Sequence, residues 1–322
     1  MLLVRRFARK VLASLALVSV SMAANAADPL KLVVGFAPGG GVDTLARITA
    51  QALSQELQRP VVVENKSGAG GTIAADYVAK SNPDGNTVLF ADTSLLVAPY
   101  IYPALRYDLQ RDFVTAGTVG TSDLALAVPG TSPVKTVAEL IQALRKAPPK
   151  TETFASVGMG SIHHLGGELF ALKTGTELVH VPYRGGAPAS QALAAGEVNM
   201  SIASLASSIG LAGSGKIRLL ATLSARRFPG MPDLPAVAET LPGFNVEPSL
   251  FLLLPKGADA SFVQALGTAL ERSMSQKGVQ DAFLAQGSVA AYKNAQVTRQ
   301  WLGDEAARWA GVIKDAKLTF KQ

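Results

Sequence analysis

The groups best placed to do chemistry in this chain are backbone amides bared at glycine-rich turns. In Leu32-Val-Val-Gly-Phe-Ala-Pro-Gly-Gly-Gly-Val-Asp43 an apolar strand runs into Pro38-Gly39-Gly40-Gly41, and a helix follows that Asp43 is expected to cap. Three consecutive glycines clear the turn of side chains, so N–H groups there can meet a ligand directly. A helix N-terminus adds about half a positive charge and unpaired donors. The chemistry this supports is non-covalent capture of a carboxylate or phosphate, although a tight turn needing positive φ would use the same residues. If amides do the binding, Gly40→Val blocks approach, whereas Asp43→Ala costs only a cap of ~1 kcal/mol. Nucleotide loops fit poorly: the third glycine of a dinucleotide fingerprint falls at Thr44, and no phosphate-loop lysine follows.

The arrangement recurs along the chain. Asn65-Lys-Ser-Gly-Ala-Gly70-Gly-Thr72 again joins a strand to a helix, which puts Gly70 at the same sheet edge as the first loop, where open α/β sheets bind ligands. The next strand ends in Asp92-Thr93-Ser94, offering two hydroxyls or a plain helix cap. Further on, Ser156-Val-Gly158-Met-Gly160-Ser161-Ile-His-His164 and Tyr183-Arg184-Gly185-Gly186 repeat the strand, glycine turn and helix start, and Arg184 is an arginine set inside such a loop. Two lobes built this way would present similar donors to each other.

Sharper chemistries do not fit. Gly210-Leu-Ala-Gly-Ser-Gly-Lys216 has phosphate-loop spacing, but Ile217 stands where a magnesium-binding Ser or Thr belongs, so the segment is read as a turn before a strand. His163 and His164 diverge on a helix, and with His180 they are the only histidines, so no metal site is expected. The absence of cysteine removes disulfides and thiolate chemistry. Ser161 lacks the closing glycine of a nucleophile elbow and reads better as a helix cap. A secreted hydrolase is therefore the weaker reading, and neither an enzyme nor a cofactor is expected.

The elements that must hold these turns alternate along the chain: short β-branched runs, as at 30–36, 61–64 and 87–91, are followed by helical patterns, as at 43–58 and 71–80. That alternation implies parallel sheets with covering helices. A second series begins at Leu124, with a helix opened by Thr136-Val-Ala-Glu139, and continues through 154–157, 179–183, 198–203 and 217–223. The tail is mostly helical, at 261–275 and 296–315. Before all this, Arg5, Arg6, Arg9 and Lys10 precede an apolar run, 11–20, ending in Ala24-Asn25-Ala26, the pattern of a secretory leader cleaved after Ala26. Its loss would lower the formal charge from +6 to +2 and leave a 296-residue chain, enough for two domains. No basic run or aromatic platform suggests a nucleic-acid partner.

Taken in order, these segments resemble the Bug family, the solute receptors of tripartite tricarboxylate transporters. The matching residues are Phe36-Ala-Pro-Gly-Gly-Gly-Val-Asp43 with Arg47, Val62-Val-Glu-Asn65 through Gly71, Asn82-Pro-Asp-Gly85, Tyr107-Asp-Leu109 with Asp112-Phe113, Pro133-Val-Lys-Thr136 with Glu139-Leu140, His164-Leu-Gly-Gly-Glu-Leu-Phe170 and His180-Val-Pro-Tyr-Arg-Gly-Gly186. The resemblance implies an α/β type II periplasmic-binding (Venus flytrap) fold, with two α/β lobes joined by two crossover strands near 122–124 and 248–249. Residues 1–26 would be the signal peptide, 27–123 plus 249–322 the first lobe and 124–248 the second.

It also implies a periplasmic monomer that captures a small carboxylate and serves integral-membrane transporter subunits; a receptor coupled to a signalling partner would look the same. One carboxylate would meet Pro38, Gly39, Gly40 and Gly41, with Phe36 as a wall and Asp43, Gly70, Thr93 and Ser94 in the same lobe. Gly158, Gly160, Ser161, His164, Tyr183, Arg184, Gly185 and Ala203 would face them. Leu95, Ala203 and Ile162 suggest a distal pocket less polar than usual in the family.

Overall fold

The computed structural model describes residues 28–102 and 104–315; the leader and its cleavage point lie outside the described residues. The chain opens with β1 (Leu30–Val34), α1 (Gly41–Glu56), β2 (Val61–Asn65), α2 (Thr72–Ala79), β3 (Thr87–Asp92), α3 (Ser94–Ile101) and β4 (Phe113–Ser122). A second series follows: β5 (Leu124–Pro129), α4 (Val137–Lys146), β6 (Thr153–Ser156), α5 (Ile162–Thr174), β7 (Val179–Pro182), α6 (Gly186–Ala195), β8 (Met200–Ser204), α7 (Leu205–Gly213) and β9 (Ile217–Thr222). The chain then returns with β10 (Ser249–Pro255), α8 (Ala260–Ser275), α9 (Lys277–Ala285), β11 (Ser288–Asn294) and α10 (Ala295–Asp315).

Two separate sheets result. The first has the order β11-β4-β10-β3-β1-β2 and the second β7-β6-β8-β5-β9. Neither is wholly parallel, contrary to the expectation from alternation. β10 runs antiparallel between β3 and β4, β11 antiparallel to β4, and β5 antiparallel to both β8 and β9. The reason is topological. β4 and β10 lead into and out of the other sheet rather than through a covering helix, and they meet as neighbours. Between Ser122 and Leu124 the chain changes sheets, held there by Ser122 N–H donating to Pro248 O and Asp123 N–H to Gly287 O.

Each sheet carries its own core. β1 is buried on both faces: Leu30, Leu32 and Val34 pack with Leu45 and Leu53 of α1, while Val33 packs with Ala74, Ala75 and Val78 of α2. Such two-sided burial accounts for the unbroken apolar run of a central strand. In the second sheet Leu126, Phe154, Ile202 and Leu220 join Leu165 and Phe170 of α5.

The last helix runs from the first sheet to a cluster to which both series contribute, Val97 and Ile101 as well as Leu124 and Phe170. Near its start Thr298 Oγ1 is 2.9 Å from Thr118 Oγ1 and the Trp301 ring meets Phe251 edge-on, whereas Trp309 and Ile313 pack in the cluster that holds Leu124 and Phe170. Arg308 adds a hydrogen bond to Asn245 O at 3.1 Å. Among the described residues no helix is long and apolar enough to cross a membrane.

Candidate functional site

Several helix N-termini converge where the two sheets face each other. α1 starts at Gly41, its N-cap is Gly40, and no side chain caps it. The expected cap, Asp43, lies inside the first turn instead. Its carboxylate turns back to accept Gly39 N–H at 2.9 Å, Arg47 Nε and Nη2 at 2.9 and 3.0 Å, and Asn65 Nδ2 at 2.7 Å. Burial alone would raise its pKa, but these bonds outweigh that and hold the carboxyl below the usual carboxylate range. Asp43 therefore braces the glycine turn, while the first amides of α1 stay uncapped. Gly39, at φ +79°, adopts a backbone region closed to most residues, as a tight turn requires.

The opposite sheet approaches this turn closely. A Cβ added at Gly41 would lie 3.6 Å from Ser204 Oγ and 3.7 Å from Ala206 Cβ, residues at the start of α7. A Cβ at Gly186, the first residue of α6, would lie 3.0 Å from Ser207 Oγ and 3.7 Å from Ser204 Oγ. Ser204 and Ser207 are themselves 3.1 Å apart. Sequence reasoning missed α7 and hence Ser204, Ala206 and Ser207 as members of this seam. The signal available was Ser204, at the end of β8, followed by the apolar pair Leu205-Ala206.

A fourth N-terminus belongs to α5. Ser161 caps it by accepting His164 N–H at 3.2 Å while donating to Gly158 O at 2.7 Å. His164 is buried: Nδ1 accepts Gly160 N–H at 3.2 Å, Nε2 lies 3.5 Å from Glu168, and its ring stacks on His180 at 3.8 Å. Ser161 and His164 thus shape the Gly158–Gly160 turn from behind. Gly158 and Gly160 both have positive φ, and a Cβ on Gly160 would strike Ile101 of α3 at 2.7 Å.

The remaining expected residues divide into rim and support. Pro38 and Gly39 are exposed, and Phe36 is half-buried. Arg184 is exposed beside the half-buried Tyr183, whose carbonyl would lie 3.7 Å from a Cβ on Gly158. Gly185 is the N-cap of α6 and has no side chain to fill that role. Gly70, at φ +62°, faces the Tyr102 ring. Thr93 is fully buried and its hydroxyl is tied to β10, accepting Ser249 N–H at 2.8 Å. Ser94 is bonded to Asp92 and to Ile162, Ala203 is 1% exposed, and Leu95 and Ile162 are buried as well. A space of about 10 Å³, roughly one water's worth, is bounded by Gly35, Phe36, Gly71, Asp92 and Leu95. A larger groove of about 920 Å³ lies elsewhere, between α2 and the start of β1, lined by Lys31, Lys66, Tyr77 and Lys80.

A seam of helix N-termini between two lobes, those of α1 and α6 without a side-chain cap, can hold an anion by hydrogen bonds without covalent chemistry. Residues 45–318 match the family model described as "Tripartite tricarboxylate transporter family receptor". The chain belongs to this receptor family. Its relatives include the protein BugT of Bordetella pertussis, 36% identical over 92% of this chain and 91% of that one. Among solved structures of similar proteins, Rpa4515 of R. palustris with adipate superposes with a TM-score of 0.85 at 33% identity, covering 90% of this chain and 97% of the other. MatC of Rhodopseudomonas palustris with bound malate gives 0.80 at 28% identity, over 88% and 98%. The fold is thus the two-lobe periplasmic-binding fold, and the chain is a tripartite tricarboxylate transporter family receptor of the Bug type.

Proposed function

We propose that this receptor closes its two lobes around a small carboxylate in the periplasm and delivers it to the integral-membrane subunits of a tripartite tricarboxylate-type transporter. It acts as a monomer, without cofactor or catalysis, after export and cleavage behind Ala26. The first lobe comprises residues 27–123 and 249–322, and the second comprises 124–248. The observation that carries this reading is the seam itself, where Gly41 abuts Ser204 and Ala206 of the opposite lobe. In that seam the first amides of α1 and the start of α6 behind Gly185 supply donors, while the amides of Gly158 and Gly160 stay with Ser156 and His164. Phe36 forms a wall, Ala203 sits behind the seam, and Tyr183 and Arg184 stand at the rim. Asp43, Thr93, Ser161 and His164 set the geometry of those donors. Relatives whose structures hold adipate and malate support a dicarboxylate.

The test is calorimetric titration of the mature protein with adipate and malate, beside Gly41→Val. A valine there would push into Ser204 and Ala206 and hold the lobes apart. Saturable one-to-one binding that weakens at least tenfold in Gly41→Val is the expected result. No binding of either acid by the wild type, or equal affinity in the variant, overturns the proposal.

A further inference from the structure

We propose that Ser94 is a latch across the cleft: its hydroxyl, oriented by Asp92, accepts the first amide of α5 from the opposite lobe and holds the lobes shut. The role rests on the two-lobe closing motion proposed above but not on any particular solute.

Asp92 ends β3 and is buried, and both of its oxygens serve one residue: Oδ1 accepts Ser94 N–H at 3.0 Å, and Oδ2 accepts Ser94 Oγ–H at 3.3 Å. The hydroxyl hydrogen is thereby directed into the first lobe, which leaves the lone pairs of Oγ facing outward. Ile162 N–H, the first amide of α5 in the second lobe, donates to that oxygen at 3.3 Å. The Ser161 hydroxyl meets His164 N–H and Gly158 O, and the bond that Ile162 N–H makes is to Ser94. An otherwise unpaired helix-start donor in one lobe thus finds its acceptor in the other.

The surroundings fit a closing contact. Seven residues further along α3, on the same face as Ser94, Ile101 fills the space that a side chain on Gly160 would need. Tyr102 hydroxyl reaches Met159 O at 3.5 Å. The 159–162 turn therefore seats along one face of α3, with Ser94 giving the seat its polar, directional point. Asp92 acts through Ser94 and is a positioning residue. Replacing it by Asn puts an amide donor against Oγ, which leaves the hydroxyl hydrogen free to point at the incoming Ile162 N–H.

The chain contains no cysteine, so two can be introduced cleanly. Gln51→Cys on α1 and Lys173→Cys on α5, both exposed, would carry spin labels on the two lobes. Interlobe distances in the solute-free protein are then measured by pulsed electron resonance. The wild type should populate the short distance, Ser94→Ala should cut the closed-to-open ratio at least threefold, and Asp92→Asn should move it the same way. Ser94→Thr, which keeps the hydroxyl, should restore it. A merely structural loss would instead lower the melting temperature and leave the distance ratio of the folded fraction unchanged. A wild type that is open throughout, or a ratio that Ser94→Ala does not move, overturns the latch. Adding adipate separates the two proposals: if the solute-free ratio shifts as expected while adipate changes nothing in any variant, the latch stands and the solute assignment falls.

Discussion

The Oγ of Ser156 lies 2.6 Å from Nε2 of His180, the spacing of a nucleophile and its base. The surroundings argue against that use. Ser156 is fully buried, and its hydroxyl is also 3.1 Å from both the nitrogen and the oxygen of Gly158. Burial, with His164 stacked alongside, pushes the His180 imidazole down to about 3, far from the neutral value that suits a general base. The pair ties β6 to β7 and fixes the Gly158 turn. Ser156→Ala should cost about 1–3 kcal/mol in urea unfolding by leaving buried partners unpaired, with no change in ester turnover. An esterase activity present in the wild type and absent in the variant would return the hydrolase reading.

Asp43 should matter more than a helix cap. Its removal takes the acceptor from Gly39 N–H, leaves Asn65 Nδ2 only its bond to Phe36 O and frees Arg47, whose side chain is 53% exposed while that of Asp43 is 2% exposed. Asp43→Ala is therefore expected to cost about 2 kcal/mol, and Arg47→Ala, the exposed partner, clearly less. Urea midpoints of the two variants decide the order. Equal losses would mean that the exposed ion pair, and not the braced turn, is what stabilises.

The contrast at Asp43 also marks how far sequence reaches. The glycine turns at Gly39–Gly41, Gly158–Gly160 and Gly185–Gly186, the strand before each and the helix after each were legible, because glycine and β-branched runs act through local sterics. Thr136 was legible as a cap for the same reason, although Glu139 bonds Lys135 N–H and not the cap's own amide. What local pattern did not carry were partners distant in sequence. Asp43 looked like a cap because Asn65 and the turned-back Gly39 N–H were out of view. β4 and β11 escaped notice because Gly117, Thr118 and Gly120 interrupt the apolar pattern where β11 packs close against β4; a Cβ on Gly120 would lie 2.1 Å from Val289 O.

Asp123, at the point where the chain changes sheets, should make stability fall as pH rises. Ser224 Oγ lies 2.6 Å from Asp123 Oδ1 and 2.8 Å from Arg226 O, but one hydroxyl has a single hydrogen for these two acceptors. A proton on Asp123 resolves the conflict: the acid donates to Ser224, which donates to Arg226 O. Burial pushes the carboxyl up to about 6, opposed by the Ser224 bond and reinforced by Glu247. Since the unfolded value is about 3.9, the contribution is complete below that pH, is lost as pH rises through 6, and is level beyond. Asp123→Asn keeps the donor at every pH. It should be more stable than the wild type by about 3 kcal/mol at pH 8 and equal to it at pH 4. Urea unfolding at both values checks this, and a variant that is weaker at both refutes the proton assignment.

His163 should show the opposite sign. Neither ring nitrogen finds a hydrogen-bond partner among the described residues, and burial pushes the imidazole down to about 4. With an unfolded value of about 6.5, the fold favours the neutral ring. That contribution is intact above 6.5 and is lost as pH falls through 4. His163→Leu removes two unsatisfied nitrogens at similar volume and suits a helix better, so it should stabilise the protein by about 1 kcal/mol at pH 7. Because leucine does not titrate, its advantage should widen as the solution is taken from pH 6.5 to pH 4. A constant gap over that range in paired urea titrations would assign the gain to packing alone. A destabilised variant would mean that the imidazole has a partner in solution.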